Sequence, residues 1–206
     1  MSYPVVPLPA AVEVVLADAN VLYSRILRDY LLYAAEQEIV NVNWSQQILD
    51  DAVGHLMNNV AGFTKESADA LMCAFKETFP DALVEPTAAT YGRFADVSLP
   101  DEDDRAVIAA ALEADASIIC TNNLKHFPAD LMTRLGLVVL TPDELFTQLI
   151  LNHMPQMVMA HRAAVSAFRH ATDRSTIAAL KNARADRTAD LMARVLGLQD
   201  DARNAG

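Results

Sequence analysis

The chain has 206 residues, 52% of them apolar, and a formal charge of −11. That length and apolar content suit one folded core with an extension and exclude a disordered chain. No apolar run in the sequence is long enough to cross a membrane.

Residues 1–11 read as an irregular lead-in with three prolines. The stretch has no basic residue and no long apolar core, so no secretory signal is expected there and a cytoplasmic location is. Residues 12–17, VEVVLA, hold five apolar residues in six. Such a run suits a strand buried on both faces of a parallel sheet. It stops at Asp18-Ala19-Asn20, which puts a carboxylate at the strand's C-terminal end. Open α/β sheets bind ligands beyond the carboxyl ends of their strands, so Asp18 starts in the right place for chemistry.

A helix is expected over 24–37, where Ile26, Leu27, Tyr30, Leu31 and Ala34 recur at helical spacing. Residues 40–42 suit a short extended piece. Trp44 and Ser45 open a second helix, with Ser45 as N-cap. Its apolar stripe is Ile48, Leu49, Ala52, Val53 and Leu56; Asp51, His55 and Asn58 share the polar face. A third helix is expected over 65–79, capped by Thr64 and closed by Pro80.

Residues 82–85 and 94–98 suit short extended pieces. The stretch 99–116 reads as a helix with Asp101 as cap and acids through its first turn. Residues 117–121, SIICT, form a second buried strand, and 122–128 a polar loop. A short helix over 129–135 ends at Gly136, and 137–140 is a third strand. Thr141 then caps a helix running to about Leu151. Strands alternating with helices give an α/β fold with a mainly parallel sheet. Short strands, long helices and few glycines favour a three-layer α/β/α sandwich over a barrel.

Beyond Pro155 the pattern is helical only. Val158, His161, Val165 and Phe168 mark one helix; a second starts near Asp173, and a third ends at Gly197. None stands alone, so residues 151–206 are expected as a helical C-terminal subdomain appended to a body over 12–150. The body, residues 1–150, holds 8 basic against 22 acidic residues, a net −14; the tail holds 8 against 5, a net +3. An acidic body suits a metal site and opposes tight nonspecific nucleic-acid binding, while the tail offers the sizeable basic surface. Cys73 and Cys120 read as buried thiols, His153, His161 and His170 as satisfied rather than metal-bound, and Met154, Met157 and Met159 as packing.

Carboxylates recur where a cleft should form: Asp18 at a strand end, Asp51 on a helix face, and Asp101, Asp103 and Asp104 at a helix start. Each has an ordinary alternative. Asp18 suits a turn, Asp101 to Asp104 suit a cap, and Asp51, which physics alone does not separate from Asp50, suits a solvated surface. Together they suit a hard divalent cation, which takes oxygen ligands and relieves repulsion among carboxylates.

The ordered set VVLADANVLYS, WSQQILDD, LPDEDDRAVIAAA and IICTNNLKHFP resembles the PIN-domain family, especially VapC-type toxins of bacterial toxin–antitoxin pairs. The resemblance spans roughly residues 12–150. It implies a Mg²⁺- or Mn²⁺-dependent endoribonuclease acting on RNA phosphodiester bonds, with a cognate antitoxin as partner and commonly a homodimer. Asp18 and Asp104 match the metal-binding aspartates, and Asp51 matches the acid of the second helix. Thr121 matches the threonine at the strand end, and the tail is similar to the helical extension of one toxin subgroup. Asn123 stands where the family commonly has Asp, and His126 where it often has another. Both departures remove negative charge, so one metal is better supported than two. Thr121 and Asn123 are expected to support the site or touch substrate, with Arg28, and more weakly Arg25, near RNA phosphate. The competing readings are a PIN-like binding module with weakened activity and an aspartyl-phosphate phosphatase. The second lacks its D-x-D after the first strand, because Asn20 stands at the second position.

Overall fold

The computed structural model describes residues 12–198. Its five strands are β1 (Glu13–Ala17), β2 (Val40–Ser45), β3 (Leu83–Val84), β4 (Ile118–Cys120) and β5 (Val138–Leu140). They form one parallel sheet in the order β3-β2-β1-β4-β5. The chain builds outward from β1 through β2 to β3, then returns to add β4 on the other side. The reversal makes the seam between β1 and β4 the switch point, where α/β sheets open a crevice at their carboxyl ends. Val15, Leu16 and Ala17 of β1 are wholly buried, as a strand covered on both faces should be.

The helices flank this sheet. They are α1 (Ala19–Leu22), α2 (Arg25–Glu36), α3 (Gln46–Asn59), α4 (Lys65–Thr78), α5 (Ala88–Gly92), α6 (Arg105–Glu113), α7 (Ala129–Leu135) and α8 (Pro142–Asn152). The α/β/α sandwich is thus the one expected. Local caps set the boundaries. The Ser45 hydroxyl accepts from the Ile48 amide, Thr64 from Ser67, and Thr141 forms a reciprocal capping box with Glu144. Gly136 closes α7 at φ 74°, a backbone region that favours glycine.

Four expectations change. Trp44 lies inside β2 rather than opening α3, because its amide bonds the Ala82 carbonyl of the neighbouring segment. Residues 94–96 are turn and 97–98 irregular, rather than a strand. The Arg105 guanidinium donates to the carbonyls of Phe94 at 3.2 Å and Val97 at 2.7 Å, which folds that segment back on itself. The helix expected from Leu99 begins later: a 3-10 turn, Glu102–Asp104, precedes α6. Asp101 caps that turn, its carboxylate accepting from the Asp103 amide. Cys73 is exposed on α4, its thiol directed at Glu77, whereas Cys120 is buried in β4. The lead-in over 1–11 lies outside the described residues.

The tail forms α9 (Met154–Ser166), α10 (Asp173–Asn182) and α11 (Asp186–Val195). α9 packs on α2, and α11 on α8 and α10. Met157, Leu180, Ala189 and Met192 join the same buried cluster as Val15 and Leu16. Met154 and Met159, by contrast, are exposed. A polar chain also crosses this seam. His161 is completely buried; its Nε2 donates to Asp173 at 3.2 Å, which leaves Nδ1 to accept from the Tyr30 hydroxyl of α2. The imidazole is therefore satisfied within the protein. Asp143 at the start of α8 accepts from the Thr188 amide at 2.8 Å. Among the described residues, no helix is long and apolar enough to cross a membrane.

Candidate active site

Register brings the site together. Ala17 pairs with Cys120 across β1 and β4, so the next residues, Asp18 and Thr121, leave the sheet side by side. The Asp18 amide bonds the Cys120 carbonyl at 3.1 Å. Asp18 also caps α1, its Oδ1 accepting from the Ala19 amide at 2.6 Å. The turn role considered for Asp18 is therefore real, and it uses one oxygen. Oδ2 accepts from the Thr121 hydroxyl at 2.6 Å and from the Asn20 side-chain amide.

Thr121 is wholly buried, so its hydroxyl serves Asp18 rather than reaching solvent. Its oxygen also accepts from Asn20 Nδ2 at 2.8 Å and from the Asn123 amide at 3.0 Å. Asn20 completes the clamp: its Oδ1 accepts from the Asn122 amide at 2.9 Å. It thereby ties the end of β1 to the loop after β4. Sequence reasoning passed over Asn20 except as the reason to reject a D-x-D motif. The signal was present as a polar residue two positions beyond Asp18, but its partners Thr121 and Asn122 lie 101 and 102 residues away.

Asp104 stands on the other wall, at the junction of the 3-10 turn and α6, and is nearly buried. Burial pushes its carboxyl above the ordinary carboxylate range; His126 pulls it back, and Asp101 and Asp103 push it up. Asp18 is likewise raised, first by burial and also by Asp104, against the hydrogen bonds from Thr121, Ala19 and Asn20. The charge of Asp104 therefore reaches the Asp18 carboxylate.

His126 is the residue whose role changed most. Its identity marked a loss of charge, yet its Nδ1 lies 2.7 Å from Asp104 Oδ2 and 3.7 Å from Asp101 Oδ2. An ionised carboxylate only accepts, so Nδ1 donates to Asp104. Among the described residues, Asp101, Asp104 and His126 bring their ligand atoms within 4.8 Å of one another. Sequence placed His126 on the loop but gave no sign that it turns onto a residue 22 positions earlier.

Asp51 lies exposed on α3, and Asp50 and Asp103 raise its carboxyl after burial does. Asp50 accepts from Gln46 Nε2 at 2.8 Å on its own helix. That contact separates two neighbours the sequence left equivalent. Asn123 is exposed on the loop, and its side chain does not cap the 3-10 turn that follows. Arg28 is not turned outward: it donates to the Leu22 carbonyl at 2.9 Å and pairs with Asp29 at 3.7 Å. Arg25 pairs with Asp29 too and lies over the Phe168 ring of the tail.

The donor set is carboxylate oxygen with one imidazole, and both buried acids resist ionising without a counter-charge. That chemistry fits a divalent cation. A parallel sheet with such acids at its switch point defines an α/β protein with an acidic centre at the carboxyl edge. The PIN domain model matches residues 14–125, more than half of the chain, and the chain belongs to the PIN domain family. The matched span contains Asp18, Asp51, Asp104, Thr121 and Asn123 and ends just before His126. PIN domains are generally nucleases and typically use divalent metals. No curated protein and no solved structure matches the chain.

Proposed function

We propose that this chain is a Mg²⁺-dependent endoribonuclease, the toxin of a type II toxin–antitoxin pair, with residues 12–150 as nuclease body and 151–206 as helical extension. The observation that carries the nuclease reading is the charge of Asp104 acting on the nearly buried Asp18, 86 positions away in the chain, which makes a cation between them favourable. The toxin reading rests on resemblance and brings with it an antitoxin partner, a homodimer and a cytoplasmic setting.

Asp18 and Asp104 would hold Mg²⁺ or Mn²⁺. When bound, such an ion offsets phosphate charge and lowers the pKa of water for in-line attack on a phosphodiester. Thr121 and Asn20 fix the Asp18 carboxylate in one orientation, as pre-organisation requires. Asp51 would orient water from the opposite wall. Asn123 would offer its amide to the substrate, and Arg28 supports the α1–α2 corner.

A second reading is favoured by one contact. His126 already occupies Asp104 by hydrogen bond and Asn123 brings no charge, which suits a PIN-like binding module of weakened activity. Cleavage of a mixed RNA pool separates the two. The nuclease reading expects cleavage with Mg²⁺ or Mn²⁺ that disappears in EDTA and in both Asp18→Ala and Asp104→Ala. Folded protein that binds RNA and never cuts it supports the module instead.

A further inference from the structure

We propose that the Tyr23–His55 ring pair is a stacking platform for a nucleobase next to the scissile phosphate; the assignment rests on the nuclease reading for its substrate class. The two rings stack with centroids 3.8 Å apart and planes 16° from parallel. Tyr23 ends α1, the short helix that Asp18 caps, its amide bonding the Ala19 carbonyl at 2.9 Å. Five residues of helical rise place it about 7–8 Å along the chain from Asp18. His55 lies one turn after Asp51 on α3, and residues four apart share a helix face. The pair therefore bridges the two elements that carry Asp18 and Asp51.

Its exposure is one-sided. Tyr23 is half-buried and covers one face of the imidazole, while His55 itself is exposed. The outer face of His55 can take a third flat ring in the same stack. Bases stack on aromatic side chains with little regard to sequence, which is how single strands are held without base-edge readout. The need for such a contact is electrostatic. The body carries a net −14, and its two arginines nearest α1 are engaged with Asp29, Leu22 and Phe168. An uncharged attraction therefore adds affinity beside the phosphate contacts of the metal and the basic tail. Stacking on Tyr23–His55 supplies it and fixes which phosphate lies over the acids.

The test is fluorescence-anisotropy binding of a short labelled single-stranded RNA in EDTA, with wild type, His55→Ala and His55→Phe, each checked for an unchanged melting temperature. His55→Ala is expected to bind about tenfold more weakly, and His55→Phe to bind like wild type. Removing one base at a time from the RNA should weaken wild type by a similar factor at one position and leave His55→Ala unaffected there. Equal binding by wild type and His55→Ala, failure of His55→Phe to restore affinity, or wild-type binding insensitive to every base removal would overturn the assignment. Metal-dependent cleavage by the same wild-type preparation reports separately on the nuclease reading. A stacking signature without cleavage keeps a base-stacking surface but removes the nuclease reading and, with it, the platform's place beside a scissile phosphate.

Discussion

The Thr121 hydroxyl, wholly buried, donates to the Asp18 carboxylate at 2.6 Å across 103 residues of chain. It makes the end of β4 a support for the end of β1. Thr121→Val keeps the shape and deletes the donor. Hydrogen bonds to charged groups contribute about 1.5–3 kcal/mol, so a loss of about that size is expected in denaturant unfolding. Asp18 should also become harder to ionise, and calorimetric titration should show weaker Mg²⁺ or Mn²⁺ binding. Unchanged stability and metal affinity would remove Thr121 from the site's support.

Asp104 gives a pH prediction with a definite sign. Its folded carboxyl is raised above the ordinary value, so the folded state binds a proton at a higher pH than the unfolded chain. Stability of the metal-free protein then falls as pH rises through the interval between the unfolded and folded values. Asp104→Asn keeps an acceptor for His126 and cannot ionise. Its melting temperature at neutral pH should exceed that of metal-free wild type, and the gap should close on acidification toward about pH 4. Added Mg²⁺ or Mn²⁺ should raise the melting temperature of wild type alone. The equivalent change at Asp18 is a poorer probe, because both of its oxygens accept and an amide would turn a donor onto a donor.

His126→Asp tests what the departure from the family pattern does. It places a third carboxylate beside Asp101 and Asp104 where an imidazole now donates. Repulsion should lower the metal-free melting temperature, and divalent-cation affinity should rise, about tenfold for a gain of about 1.4 kcal/mol. Weaker metal binding in this variant would identify His126 as a ligand rather than a substitute for charge.

The seam between body and tail should respond to acid. Burial lowers the His161 pKa more than Asp173 raises it. Its neutral form thus contributes stability above the unfolded value, about 6.5, that is lost as pH falls through the folded one. Tyr30→Phe leaves Nδ1 of this buried ring without its donor and should cost about 1–3 kcal/mol at neutral pH. Thermal scans from pH 8 to 5 on both proteins check the size and the slope. A wild-type curve flat across that range would contradict the neutral imidazole.

Much of this was legible in one dimension because it is local. The apolar run at 14–17 suits an interior strand, and Ser45, Thr64, Thr141 and Gly136 mark helix ends through bonds made within a few residues. Asp18 and the group Asp101 to Asp104 were readable as candidates because strand ends and helix starts are where α/β chains gather polar groups, and the family resemblance singled out Asp104. Contacts between distant segments were not readable. The β1–β4 register decides that Asp18 meets Thr121, the loop after β4 decides that His126 turns to Asp104, and α2 against α9 decides that Tyr30 bonds His161. The same holds for Trp44 and for residues 94–98, whose conformations answer to Ala82 and Arg105. Sequence by itself determined the order of elements and the residue types at their ends. Only the tertiary structure decided which of those ends face one another, since hydrogen bonds and charge coupling depend on distances that chain separation does not encode.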